Sequence, residues 1–396
     1  MSDKDRSQVL AQSSSGKIWN ALFIKVSIIN MLLQFCTYML VTLSAKYAHH
    51  LGATETIIGL VASLFALSAS IMKLFSAPAI DSFNKKFVLL GATFVMFIAM
   101  LCYSMSATVP MLMFSRLLQG ACQAFSTTCC LTIASDSLPS DKMGVGIGYF
   151  GMTIAIAQTI SPAVGLKLVE LLGYRHTFLI LAGVMLICNL FVISMKLPSA
   201  IRKKFALSLD AIIARECVVP AVICFLLSIS SFSVNSFLVL FAEGQGIGSD
   251  IGFFFTINSI AILVMRPLIG KLSDKHGAFR VMIPSMLLFI CSLMLISVCN
   301  NLPMFLLAGF VSAFGFGGIQ PILLVLALRC VPGNRRGAAS CTAYLCLDLG
   351  VLVGPVIAGA IIESYGFVFM WRALIIPVAA ALIVCIRYRA RIAQIG

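Results

Sequence analysis

The chain has 396 residues, of which 60% are hydrophobic and only 11% charged, with a mean hydropathy of +1.05. A soluble globular chain carries roughly 25% charge, so a water-soluble domain is excluded and the apolar excess belongs in a bilayer. A formal net charge of +14 would suit a nucleic-acid binder, but its distribution along the chain assigns it to the membrane instead.

A hydrocarbon core about 30 Å thick needs roughly 20 apolar residues per crossing helix. Residues 1–17 (MSDKDRSQVLAQSSSGK) are polar and lack an apolar h-region, so they are expected as a cytoplasmic tail rather than a signal peptide. Six spans are then expected near 18–48, 54–80, 86–106, 110–135, 144–168 and 176–196, making a first bundle over 18–196. A linker over 197–218 follows, where Phe205, Leu209, Ile212 and Ile213 have the spacing of a short amphipathic helix on the inner leaflet. Six more spans near 219–243, 249–273, 280–299, 303–329, 338–362 and 367–388 make the second bundle, before a tail at 389–396. The fold class is all-α integral membrane, with twelve helices in two six-helix bundles. Placing both termini inside puts 20 Lys and Arg in cytoplasmic segments against four outside (Lys46, Lys167, Arg175, Arg372). That asymmetry fixes the orientation, and the excess positive charge is a topology signal.

The fourteen cysteines fall mostly inside apolar spans, with no CxxC pair and no histidine at metal spacing. They read as small packing residues, and neither a disulfide framework nor a metal site is expected.

The two bundles are copies. Gly59, Asp81, Pro110, Pro139, Gly144, Pro162, Glu170 and Gly173 recur 193 residues later as Gly252, Asp274, Pro303, Pro332, Gly337, Pro355, Glu363 and Gly366, while Lys73 is matched by Arg266. Residues that bend or pack helices do not recur at one offset by chance. Parallel repeats of this kind place a solute site where the halves meet.

The polar residues inside the spans are the candidates for that site. The first span offers Asn30, Gln34 and Tyr38, and the loop after the second reads Ala77-Pro-Ala-Ile-Asp81-Ser-Phe-Asn84-Lys85-Lys86. Asn84 stands where a left-handed backbone is wanted, a geometry asparagine tolerates. In the fourth span Arg116, Gln119, Gly120, Gln123 and Thr127 share one helix face, and an arginine there is costly unless it meets water or a partner. The fifth span opens Gly144-x-Gly146-x-Gly148-x-x-Gly151 and continues through Ala157, Gln158, Ser161, Pro162 and Gly165. Its GxGxxG follows no strand, so no dinucleotide is expected there; small residues four apart let helices approach closely. Further on come Ser231, Asn235, Asn258, the loop Gly270-Lys-Leu-Ser-Asp274-Lys-His-Gly277-Ala-Phe-Arg280, and Gln320 beside Pro321. The eleventh span carries Tyr344, Asp348 and the run Gly350-x-x-x-Gly354-Pro355-x-x-Ala358-Gly359. Of fourteen acidic residues, Asp348 alone lies about ten residues into a span. Burial at that depth disfavours the charged form, which suits a carboxyl that takes and releases a proton. The 29 phenylalanines and 19 methionines fit a largely apolar, adaptable cavity.

The loop at Gly270–Arg280 resembles the GxLaDrxGrr signature of the major facilitator superfamily, and the loop at Ala77–Lys86 is a degraded copy. Arg116–Ala124 resembles that family's RxxqGxgaa motif, and Ala157–Gly165 its GxxxGPxxGG antiporter motif. The resemblance covers about residues 18–388. It implies a compact bacterial exporter of drugs or metabolites, monomeric in the cytoplasmic membrane, without cofactor and without nucleic acid. Solute would exchange for protons by alternating access. Asp348 and Arg116 would couple protons, and Asp81, Asn84, Gly270, Asp274 and Gly277 would gate. Asn30, Gln34, Tyr38, Gln119, Gln123, Gln158, Asn235, Asn258, Gln320 and Tyr344 would line the cavity. Ser161, Pro162, Gly165, Gly354 and Pro355 would kink and pack helices. A proton-coupled importer of a sugar or carboxylate is the alternative, although the central faces show one arginine where a carboxylate clamp would want two. A non-transporting sensor or scaffold would usually need an added soluble domain or long tail. An enzyme is not expected for want of a nucleophile–base–orienter set.

Overall fold

The computed structural model describes residues 18–139, 143–195, 197, 214–331, 336–389 and 392. The N-terminal tail, the C-terminal tail apart from residues 389 and 392, and the amphipathic linker segment expected from the sequence lie outside the described residues. Within them the chain is helical, with no strand. The first half holds α1 (Ala21–His50), α2 (Glu55–Ser82), α3 (Lys85–Met105), α4 (Val109–Ser137) and α5 (Met143–Ile193). The second holds α6 (Val218–Gly244), α7 (Gly252–His276), α8 (Ala278–Val298), α9 (Leu302–Ser312), α10 (Gly318–Arg329), α11 (Arg336–Ala373) and α12 (Ile375–Arg387). A π-turn, Ala313–Gly317, joins α9 to α10 as one span.

Eight helical stretches among the described residues are long and apolar enough to cross a membrane. Two of these are really pairs. α5 breaks at Gly173 (φ 75°, ψ 170°) and α11 at Gly366 (φ 80°, ψ 172°), a backbone that side-chain-bearing residues avoid. Splitting both, and adding α4 with its polar stripe and α7, gives twelve spans. The repeat is visible in the dihedrals, since Gly173 and Gly366 are 193 residues apart. So are the extended residues before α4 and α9: Thr108 at φ −136°, ψ 155° and Asn301 at φ −147°, ψ 158°. Each precedes a helix with proline in its first turn, where the missing N–H costs nothing.

One expectation is corrected here. Asn84 is not left-handed. It sits at φ −66°, ψ 118°, and its side chain accepts a hydrogen bond from the Lys86 N–H at 2.9 Å, capping α3. Its repeat partner Gly277 does adopt the left-handed side, at φ 85°. The same turn is made twice by different means.

The chain divides into two compact units that do not follow the halves. One comprises residues 1–39, 68–161 and 171–207, the other 40–67, 162–170 and 208–396. In the second unit, the beginning of α2 and the short stretch 162–170 pack directly on second-half helices. A Cβ on Gly59 would overlap the Pro355 carbonyl, and one on Gly252 would lie 2.7 Å from the Ala163 Cα.

Candidate functional site

In the first unit the hydroxyls of α4 mostly bond back to carbonyls of their own helix, while the amides and the guanidinium of α1 and α4 bond to one another or to neighbouring helices. Gln123 donates to Gln34 at 3.0 Å while accepting from Thr37 at 3.0 Å, and Asn30 donates to Thr153 at 3.0 Å. Arg116, only 2% exposed, donates to Gln119 at 2.9 Å, and the Tyr103 hydroxyl donates to the same oxygen at 2.7 Å. The Tyr103 ring packs against Phe178. Arg116 is thus enclosed among α3, α4 and the second limb of α5. Tyr38 and Gln158 are half-buried on α1 and α5. Ser161 bonds back to the Ala157 carbonyl just before Pro162, a pairing that bends helices.

The second unit is built differently. α11 lies on α6 with backbones nearly touching: a Cβ at Gly350 would meet the Phe225 carbonyl at 2.7 Å, and one at Gly354 the Ile229 carbonyl at 2.5 Å. Small residues permit this approach, and Pro355 and Gly165 are buried in the same unit. Beside this crossing α10 joins α6 and α11 around an open space. Cys224, Gln320, Pro321, Leu323, Leu324, Ala343, Tyr344 and Leu347 enclose a cavity of about 230 Å³. Its floor adjoins a buried cluster of Ala214, Cys217, Ala327, Val331 and Ala339.

Pro321 shapes the cavity wall. It offers no N–H to the Gly317 carbonyl and its ring crowds that oxygen, and the turn before it widens into the π-turn. Gly315 lets this wider coil lie on α8, since a Cβ there would come 2.6 Å from that of Phe289. π-turns of this kind recur at functional sites. Asp348 is half-buried one residue past the lining residue Leu347, and its charge is close enough to act on Cys224.

The cavity therefore gathers Gln320 and Tyr344, with Asp348 at its edge. Asn258 instead donates to the Gly309 carbonyl at 2.8 Å, holding α7 to α9, and Asn235 is half-buried on α6. Gln119 is fully buried against Arg116 and Tyr103 and does not line the second-unit cavity. The side chains of Asp81 and Asp274, and Gly270 beyond its helical backbone, lie outside the described residues. Sequence reasoning missed Cys224, one cysteine among fourteen, and Tyr103, an aromatic near a helix end. Thr37 escaped because a threonine in an apolar helix is ordinary. Among the described residues no group of three His, Cys, Asp or Glu could hold a metal.

A sequence profile described as Major Facilitator Superfamily matches residues 26–248 and again 220–393. The chain is 25% identical over 342 residues to an uncharacterized MFS-type transporter of Methanocaldococcus jannaschii, covering 83% of this chain and 88% of that protein. It is 25% identical over 323 residues to a multi-drug resistance efflux pump PmrA homolog of Lactococcus lactis, covering 78% of this chain and 79% of that one. The figure is 26% over 323 residues for the multidrug resistance protein MdtG of Salmonella schwarzengrund, with the same 78% and 79% covered. Among solved structures, nucleoside transporter NupG superposes with a TM-score of 0.78 at 16% identity, over 94% of this chain and 99% of that one. A bacterial homolog of the human lysosomal transporter Spinster gives 0.78 at 12% identity, over 93% and 96%. Identities that low show the shared fold alone. With both halves matched by the profile and the fold shared almost end to end, the chain belongs to the Major Facilitator Superfamily of multi-pass membrane transporters, and it is not an enzyme.

Proposed function

We propose that this transporter exports small organic, drug-like or metabolite solutes in exchange for protons, by alternating access across a bacterial cytoplasmic membrane with both termini inside. The observation that carries the reading is the second-unit cavity with Asp348 at its edge. An apolar wall with a few polar groups, Gln320, Tyr344 and Cys224, suits a lipophilic solute held by shape and one or two hydrogen bonds. Relatives named as multidrug resistance proteins support export of such compounds.

Asp348 takes the proton in this scheme. A carboxyl at membrane depth carries a different cost of charge when its cavity is closed than when it opens to water. That difference between states joins proton movement to solute movement. Arg116 contributes a fixed positive charge held by Gln119 and Tyr103, and does not itself meet the solute. The gating loops at Asp81–Asn84 and Gly270–Gly277 are proposed to steady the cytoplasmic ends of the helices.

The test uses purified protein in proteoliposomes with ethidium as solute and an imposed pH gradient of either sign. The parent should accumulate ethidium only when the gradient favours exchange against protons. Asp348→Asn should still let ethidium equilibrate but should lose accumulation. Accumulation by that variant equal to the parent's would place the proton site elsewhere. Accumulation under the opposite gradient would make the protein an importer.

A further inference from the structure

The 193-residue offset extends from residues to contacts. Thr56 Oγ1 donates to Glu363 Oε2 at 2.6 Å, and Ser249 Oγ donates to Glu170 Oε2. Ser249 lies 193 residues after Thr56, and Glu363 lies 193 after Glu170. One hydrogen bond is therefore made twice, each time from one half of the chain to the other, and all four residues lie within the second unit.

The donors occupy equivalent places. Thr56 is in the first turn of α2, and Ser249 opens the short 3-10 turn Ser249–Ile251 that leads into α7. A helix N-terminus has unpaired N–H groups and a positive partial charge, so a carboxylate is favoured there. Glu363 accepts from the Thr56 backbone and the Thr54 side chain as well, and Glu170 from Lys167 at 2.9 Å. Both carboxyls lie just past the fifth and eleventh spans. The Ser249 hydroxyl and then Lys167 hold Glu170 below the usual carboxylate range, and the Thr56 hydroxyl does the same for Glu363.

About one turn deeper each hydrogen bond is backed by a seam without side chains. A Cβ on Gly59 would meet the Pro355 carbonyl and the Val356 Cα, and one on Gly252 the Ala163 Cα; Val356 lies 193 residues after Ala163, so the crossing repeats at the same offset. Gly359 closes on the Glu55 carbonyl beside the first seam. An ion pair between Lys46 and Glu243 joins α1 and α6 nearby without a twin.

We propose that the two hydroxyl–carboxylate bonds and their glycine seams form one symmetric latch. It holds shut the face that the charge distribution assigns to the exterior, and its two sides release together. This rests on the alternating-access reading but not on the solute or the coupling ion. A latch that releases as a unit behaves differently from two local helix caps. Loosening one side of a two-state closure raises the open population for both sides, whereas loosening a cap frays only its own first turn.

The experiment is hydrogen exchange by mass spectrometry on the full-length protein in lipid nanodiscs, comparing the parent with Thr56→Val, Ser249→Ala and the double variant. Removing one hydrogen bond should speed exchange about fivefold, and removing both about twenty-five-fold. The decisive peptides are the distant ones. Thr56→Val should speed exchange over 249–260, and Ser249→Ala over 55–65, while α4 stays as protected as in the parent. Gly252→Ala, which wedges the seam and leaves both hydrogen bonds chemically intact, should give the same pattern. Exchange that rises only in the mutated helix's own first turn, or not at all, overturns the latch. Should α4 lose protection in a variant, that variant has misfolded, and Glu363→Gln, which keeps the shape but makes the acceptor neutral and weaker, replaces it: faster exchange over 249–260 as well as 55–65 supports the latch, and a rise confined to 55–65 overturns it. Failure of ethidium transport in the parent would count against the proposed function and leave the exchange result standing.

Discussion

The polar residues of the first unit and those of the second have opposite fates. In the first, Gln34, Thr37 and Gln123 bond to one another, and Arg116 and Tyr103 both donate to the Gln119 oxygen, although the Gln119 Nε2 is buried without a partner. In the second, a π-turn and the meeting of α6, α10 and α11 leave space, with Gln320, Tyr344 and Cys224 in its wall and Asp348 at its edge. The repeat made the two halves alike in their bends and seams, and specialised their interiors. One interior is a bonded scaffold; the other holds room and an ionisable group. On the proposed function, a duplicated fold keeps its helix breaks symmetric and places its chemistry on one side.

The largest test of this contrast is Arg116→Ala. If the first unit is scaffold, the loss removes the charged donor to Gln119 and empties a buried site, leaving Tyr103 as the remaining donor to that oxygen, and costs on the order of 3 kcal/mol. It should appear as a lower melting temperature in detergent and a reduced yield of monodisperse protein. Arg116→Lys should recover part of it, because a point charge cannot copy the planar fork. A variant with the parent's melting temperature but uncoupled transport would break the contrast, by showing the first unit to be chemically active.

A smaller effect is expected at the glutamine pair. Gln34→Leu or Gln123→Leu each leave a buried amide unpaired, at about 1–3 kcal/mol, while replacing both removes the debt with the bond. The double variant should therefore be more stable than the sum of the singles implies, by thermal denaturation. Strict additivity would mean that the two amides do not depend on each other.

The smallest is Tyr344→Phe. It deletes one hydroxyl from the cavity wall and should raise the apparent KM for ethidium a few-fold, about the worth of one hydrogen bond, with melting unchanged. A shift in melting without a shift in KM would move Tyr344 from the solute site to the scaffold.

The spans and their order were legible in the sequence because crossing a bilayer demands long apolar runs, and breaking a helix demands glycine or proline. Gly173 and Gly366 announce their dihedrals by identity alone. Partnership between polar side chains was not legible. Gln119 and Gln123 share a face by spacing, yet one bonds toward α3 and the other toward α1, since periodicity gives a direction and not a neighbour. Asn84 was misread because glycine's solution at Gly277 was carried to its twin, which caps with a side chain instead. Thr56 and Ser249 were overlooked although Glu170 and Glu363 stood out. The comparison at that offset sought identical residues, and the hydroxyl survives there in two different side chains.

The glycine breaks in α5 and α11 have a consequence for anyone handling this protein. Each replaces a connecting loop by a single residue, so the fifth and sixth spans, and the eleventh and twelfth, are joined without slack. A protease finds no extended strand to cut there, and an inserted epitope tag would have to prise two crossings apart. It would also displace Glu170 or Glu363, each three residues before its break. Tags and cleavage sites for mapping sidedness belong at the turns around Gly52 and Gly246, where the chain already leaves its helices.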